Sequence, residues 1–89
     1  MAWRIEFDPT AKKELDKLGH PVAQRILRFL FERLARLDDP RSIGEALKGE
    51  KLDEFWKYRV GDYRIISLIE DGALLILVVK VGNRRNVYR

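Results

Sequence analysis

Residues 55–81 alternate strand-like runs with tight-turn dipeptides, and this stretch constrains the fold more than any other. Phe55 to Val60 is the first run, Gly61-Asp62 its turn, and Tyr63 to Glu70 the second. Asp71-Gly72 is a typical hairpin dipeptide, and Ala73 to Val81 forms the third run. Connections this short make antiparallel neighbours. Such a sheet needs an apolar layer over one face. The chain before residue 40 has the pattern to supply it.

Trp3-Arg4-Ile5-Glu6-Phe7 alternates apolar and charged residues, the mark of a half-buried strand. Asp8-Pro9 then signals a helix start. The carboxylate caps free N–H groups and proline suits the first helical position. Ala11, Leu15 and Leu18 follow at helical spacing, Gly19 ends the helix, and Pro21 sits where a second can begin. Val22, Ile26, Phe29, Leu30, Leu34 and Leu37 continue the 3.6-residue period. Arg25, Arg28, Glu32 and Arg36 mark the opposite, solvated face. Asp38-Asp39-Pro40 stops this helix. Ser42 to Lys48 reads as a short helical turn limited by Gly44 and Gly49. The expected order is βααβββ. This is an α+β fold with two antiparallel helices packed on one face of a largely antiparallel four-stranded sheet.

Eighty-nine residues make one domain, spanning 1–89. The absence of cysteine excludes disulfides, thiolate metal sites and cysteine nucleophiles. The longest apolar run, Ala73 to Val79, is too short to cross a bilayer, so no membrane association and a cytoplasmic location are expected.

The charge is unevenly placed. Residues 1–56 carry eleven basic and eleven acidic side chains, and residues 57–89 carry seven basic against three acidic, which accounts for the whole +4. A basic half points to a polyanionic partner. His20 stands alone between Gly19 and Pro21 as a turn residue, so a two-histidine ribonuclease and a histidine metal site are ruled out. Gly61, Gly72 and Gly82 each mark a turn rather than a phosphate loop. Ser42 and Ser67 have no local base, and the helix end explains Asp38-Asp39 as well as a cation would.

The basic residues of the sheet remain. Strand alternation puts Lys57 and Arg59 on one face with Phe55, and Trp56, Tyr58 and Val60 toward the helices. Arg64 shares a face with Ile66 and Leu68. A hairpin closing at Gly61-Asp62 brings Arg59 and Arg64 together across the ladder. Like charges so placed destabilise a sheet, so an anion site is one explanation. Neutralisation by Asp62, Asp53 or Glu54 is the other. The tail adds Arg84, Arg85, Tyr88 and Arg89, a mixture that suits single-stranded nucleic acid if the ring stacks and the cations hold phosphates. Packing of Tyr88 on the core edge with solvated arginines is equally open.

Several segments together resemble the RelE/ParE superfamily of type II toxins, over nearly the whole chain. They are Trp3–Phe7 with Asp8-Pro9-Thr10-Ala11 and Lys13-Glu14-Leu15, then Pro40–Gly44 with Leu47-Lys48-Gly49, then Trp56–Ile66, and finally Val81–Arg89. The resemblance implies a βααβββ domain and a complex with a cognate antitoxin that wraps the toxin. RelE-like members cut mRNA in the ribosomal A site, whereas ParE-like members poison DNA gyrase. Lys57, Arg59, Arg64, Arg84 (or Arg85) and Tyr88 match the nuclease set. Arg59 stands where the best-known branch has lysine, and Asn83 where histidine is frequent.

The implied reaction is attack of the ribose 2′-OH on the adjacent phosphate, without metal or cofactor. Lys57, Arg64, Arg84 and Tyr88 are the candidate catalytic residues, with Arg59, Arg85 and Arg89 binding RNA. Arg64 stabilises the phosphorane and Lys57 is the candidate base. Arg84 stabilises charge at the scissile phosphate, and Tyr88 stacks on a base or orients the 2′-OH. Partners are then the antitoxin, mRNA and the ribosome, which substitutes orientation for strong acid–base chemistry. A ParE-like gyrase inhibitor without nuclease activity is the alternative, and a non-toxic nucleic-acid-binding regulator a third. Phe31, Leu27 and Trp3 are candidate apolar contacts for an antitoxin, with core packing the competing fate of each.

Overall fold

The structure is a computed structural model that describes residues 2–47 and 54–85. Strand β1 (Arg4–Phe7) turns Ile5 and Phe7 toward the core, while Arg4 and Glu6 pair with each other at 3.0 Å outside it. Helix α1 (Pro9–Lys17) starts as its sequence requires. Asp8 Oδ2 accepts the Thr10 N–H at 3.1 Å and Pro9 occupies the first turn. Ala11 and Leu15 are its buried residues. Gly19 takes φ +88°, a left-handed conformation that costs glycine little, and so turns the chain into α2 (His20–Arg28).

After Arg28 the helical path changes pitch. It widens into one π-type turn over Phe29–Arg33 and tightens into a 3₁₀ turn over Leu34–Arg36. Ile26, Leu30 and Leu34 stay fully buried through the change, while Phe31 is left 48% exposed. Trp3, one of the residues offered as an exposed contact, is instead buried, and its N–H donates to Ala35 O at 2.7 Å. Leu27 is half-buried against the core.

The expected helical turn over Ser42–Lys48 is only partly present. Asp39 caps a 3₁₀ turn over Pro40–Ile43, its carboxylate accepting the Arg41 N–H at 3.0 Å. Gly44 then returns the chain to an extended path, and Glu45–Ala46 forms β2. This strand pairs antiparallel with β3 (Phe55–Val60), Glu45 opposite Lys57 and Ala46 opposite Trp56. The sheet therefore has five strands, not the four expected, in the order β1-β5-β4-β3-β2.

β3 and β4 (Tyr63–Glu70) form the two-residue hairpin at Gly61-Asp62, with Gly61 at φ +59°. The second connection is longer than the Asp71-Gly72 dipeptide suggests. Asp71–Ala73 makes a 3₁₀ turn, Leu74 takes a left-handed conformation at φ 48°, and β5 spans Leu75–Asn83. The Asp71 carboxylate is held there by the Arg41 guanidinium through two bonds of 2.9 and 2.7 Å. β5 runs antiparallel to β4 and parallel to β1, with a bulge opposite Ile66/Ser67. Glu14 of α1 reaches β5, where its Oε1 accepts the Val81 N–H at 3.2 Å.

Ile26, Leu30 and Leu34 from the helices meet Tyr58, Ile65, Ile76 and Val78 from the sheet in one core. Each fully buried aliphatic side chain contributes about 1.5–3 kcal/mol. The helices cover only this face. The other face of β3, β4 and the end of β5 carries the basic side chains.

Candidate functional site

Register places the site. Across β3 and β4, Arg59 stands directly opposite Arg64 and Lys57 opposite Ile66. Across β4 and β5, Arg64 stands opposite Gly82 and Ile66 opposite Lys80. Lys57, Arg59, Arg64 and Lys80 thus lie in two adjacent rows on the face away from the helices. Rows are about 7 Å apart along a strand, and strands about 4.8 Å apart. Tyr58 and Val60, which alternate with these cations on β3, are buried on the helix side.

Arg64 is the anchored member. It is only 9% exposed, and its Nη1 donates to Gly61 O at 3.1 Å and Tyr63 O at 3.0 Å. The turn's own carbonyls hold the guanidinium at the hairpin tip. Among the described residues no ion pair reaches Arg59, Arg64 or Arg84. Two guanidinium side chains opposite each other repel, and an anion between them would offset that repulsion.

Arg84 enters from the end of β5. Its N–H donates to Asp62 O at 3.0 Å, tying that end to the hairpin. Arg84 and Arg85 line a shallow pocket with Asp62 and Asn83, and Arg85 N–H donates to Asn83 Oδ1 at 3.1 Å. The structure therefore brings Lys57, Arg59, Arg64 and Arg84 to the same end of the sheet, with Arg85 beside them. Tyr88 and Arg89 lie outside the described residues, as does Asp53. His20 opens α2 and is exposed.

Besides Lys80, which the β4–β5 register sets opposite Ile66, two residues join the site that sequence reasoning passed over. The Arg25 guanidinium of α2 packs against the hairpin turn so closely that a Cβ on Gly61 would sit 2.9 Å from its Nη1. Its place on the outer face of an amphipathic helix gave no sign of this. The second is Glu45, whose Oε2 lies 3.4 Å from Lys57 Nζ across the β2–β3 ladder. Reading Ser42–Lys48 as helix concealed it. Of the carboxylates offered as neutralising partners, Glu54 lines a different hollow with Arg41 and Trp56, and Asp62 sits beyond the tip with Arg84.

At the opposite end of the hairpin Arg41 binds Asp71 and lies 5.8 Å from the Trp56 ring centre. The hydrogen bond to Asp71 holds the Arg41 guanidinium protonated more firmly than usual and lowers the Asp71 carboxyl below its ordinary range. Tyr58, whose hydroxyl donates to Pro40 O at 2.8 Å inside the core, has its phenol pushed up to about 12 by burial. Among the described residues no three His, Cys, Asp or Glu side chains gather to hold a metal ion, and no helix is long and apolar enough to cross a membrane.

Comparison with known proteins matches residues 5–88 to the family described as ParE toxin of type II toxin-antitoxin system, parDE. Toxin RelG of Mycobacterium tuberculosis is 29% identical over 89 residues, covering 100% of this chain and 99% of that protein. The mRNA interferase toxin RelE of Escherichia coli is 32% identical over 84 residues, covering 94% of this chain and 85% of that protein. Among solved structures, the toxin-antitoxin complex RelBE2 from Mycobacterium tuberculosis superimposes with a TM-score of 0.85 at 27% identity, over 97% of this chain and 95% of that one.

Proposed function

From the premise that this chain belongs to the ParE toxin family and is a type II toxin of the RelE kind, we propose that it is a ribosome-dependent mRNA endonuclease. The observation that carries the reading is the two-row cation cluster, Lys57, Arg59, Arg64 and Lys80, closed at the hairpin tip by Arg84. Its spacing suits successive phosphates of a single strand, which no apolar binding face would do.

In this reading the ribose 2′-OH attacks the adjacent phosphorus. Arg64, already oriented by two carbonyls, faces the charge that develops on the phosphorane. Arg59 holds a flanking phosphate, a role suited to a guanidinium fork, and Arg84 stabilises charge at the scissile phosphate. Lys57 sits beside the attacking hydroxyl, and Tyr88, with Arg85 and Arg89, completes the set carried by the resemblance. Lys57, Arg59, Arg64 and Lys80 are all cations, so orientation must do much of the work, and a ribosome-bound mRNA supplies it.

A cognate antitoxin is the proposed protein partner. The groove formed by Ile5, Phe7, Leu15 and Leu27, rimmed by Glu6, Lys12 and Asp16, suits its apolar contacts.

Mapping mRNA ends by primer extension after induction tests the nuclease reading. Wild type is expected to cut translated mRNA, and Arg64→Ala to cut it about 10²–10³-fold more slowly. Identical cuts in the variant remove Arg64 from catalysis. The family description favours a second reading, a gyrase poison. A supercoiling assay run in parallel separates the two: cleaved DNA–gyrase complexes with intact mRNA establish the second.

A further inference from the structure

We infer that Arg25 holds a phosphate of the RNA strand beyond the hairpin tip. The track for the strand then runs from the open face of the sheet around Gly61-Asp62 and onto the helix layer. The inference deepens the nuclease reading and takes the identity of its ligand, an RNA strand, from it.

Gly61 is contacted from two sides. On the open face its carbonyl accepts Arg64 Nη1 at 3.1 Å. From α2 the Arg25 guanidinium rests against the same residue, where a Cβ would stand 2.9 Å from Nη1, 3.0 Å from Nη2 and 3.1 Å from Cζ. The three distances are nearly equal, so the whole guanidinium lies on the turn rather than pointing one N–H at it. Contact with a common glycine keeps the Nη1 atoms of Arg25 and Arg64 within about 9 Å of each other. Arg84 is tied to the next residue, its N–H donating to Asp62 O. The tip thus gathers guanidiniums from a helix and from two strands.

The fold makes no polar use of Arg25. The side chain is exposed, and among the described residues it has no ion pair and no hydrogen bond. Asp62, beside the glycine it touches, pairs with neither Arg25 nor Arg84. Arg64 spends Nη1 on two carbonyls of the turn, whereas Arg25 keeps all five of its donors for a ligand. Resting on the turn, its fork is held in place for the paired oxygens of a phosphate. Cations converging on one tip also raise the local potential that draws in a polyanion. Arg25 touches no reacting atom in this arrangement and is a binding residue.

The test measures the affinity of the full-length protein for a 2′-O-methyl oligoribonucleotide, which cannot react, over a range of salt concentrations. Arg25→Gln is expected to make the slope of log K against log salt concentration shallower by about 0.7, the share of one phosphate contact on a single strand. Arg25→Lys keeps the charge and the wild-type slope. Lys12→Gln, which lowers net charge equally from α1, leaves the slope as it is. In programmed ribosomes Arg25→Gln raises the protein concentration that gives half-maximal mRNA cleavage and leaves the saturated rate within about twofold of wild type. An Arg25→Gln slope equal to wild type overturns the inference. A loss confined to the saturated rate overturns it too, and makes Arg25 a brace that orients Arg64 instead. Wild type that cuts no translated mRNA overturns the nuclease reading, whereas the slope judges Arg25 with no cleavage at all.

Discussion

At the scale of single residues the site and the core make opposite demands on β3. Arg59 faces Arg64 directly and Tyr58, one position earlier, is sealed in the core. The arginine pair costs the empty fold stability, because like charges opposite one another repel. Arg59→Thr is therefore expected to stabilise the fold by about 0.2–1 kcal/mol, read as a higher urea midpoint, and to weaken mRNA cleavage. Denaturation and cleavage measured on one preparation check both. A variant less stable than wild type shows that Arg59 is neutralised within the fold. Tyr58 gives the converse case. Its hydroxyl bond to Pro40 O, 2.8 Å long, lies where water cannot replace it, so Tyr58→Phe should cost about 1–3 kcal/mol. Burial raises the phenol from 10.0 to about 12. Below the lower value both folded and unfolded chains keep the proton, and the contribution is full. As pH rises between the two values the unfolded chain releases its proton first, so stability falls. That gap corresponds to about 3 kcal/mol. Urea midpoints of wild type and Tyr58→Phe, compared from about pH 9 to about pH 12, should converge as pH rises. Parallel curves would show that Tyr58 does not titrate in this way.

The elements divide by how locally each is specified. β1, α1, the start of α2 and the Gly61-Asp62 hairpin carry their own signals, Asp8-Pro9 for the helix cap and Gly61 for the turn, and all were legible in the sequence. Strand alternation also announced that Lys57, Arg59 and Arg64 share a face. What could not be read depends on long-range contacts. Asp71-Gly72 has the chemistry of a two-residue turn, but Asp71 is taken by Arg41, thirty positions away, and the connection lengthens to Leu74. β2 has two residues and no alternation of its own, and exists because β3 offers an edge. Arg25 and Glu45 reach the site through such packing. Gly44 exposes the dependence. A Cβ there would lie 2.8 Å from Tyr58 Cε1, so the ring or β2 must move. Gly44→Ala is expected to cost about 1–3 kcal/mol by overpacking and to shift Glu45 along with β2. Thermal unfolding reads the first effect. Cleavage that falls further than Tyr58→Phe, at matched stability, reads the second. Loss of activity only in proportion to stability would place β2 outside the site.

Over the whole molecule, charge follows the division of labour between layers. Residues 1–56 balance eleven bases with eleven acids, and the excess of +4 falls in residues 57–89. The helix layer covers the core face of the sheet, and the excess is spent on the face it leaves open. A strand of RNA lying over Lys57, Arg59, Arg64 and Lys80 displaces condensed counterions from each phosphate it engages, so affinity must fall with salt. For these four contacts to a single strand the slope of log K against log salt concentration is about −3, and Arg84 steepens it by a further ~0.7. The measurement needs a substrate that cannot react, and a 2′-O-methyl oligoribonucleotide lacks the attacking hydroxyl. Lys80→Gln removes one contact from the far strand of the cluster, and the slope should become shallower by about 0.7. Lys12→Gln, on α1 at the other side of the molecule, should lower net charge by the same amount and leave the slope unchanged. The pair of variants separates a path from a general attraction, because net charge alone would weaken binding equally in both. Equal slopes for both variants would mean that RNA is drawn to the protein as a whole, and the two-row cluster would lose its claim to be the track on which the strand lies.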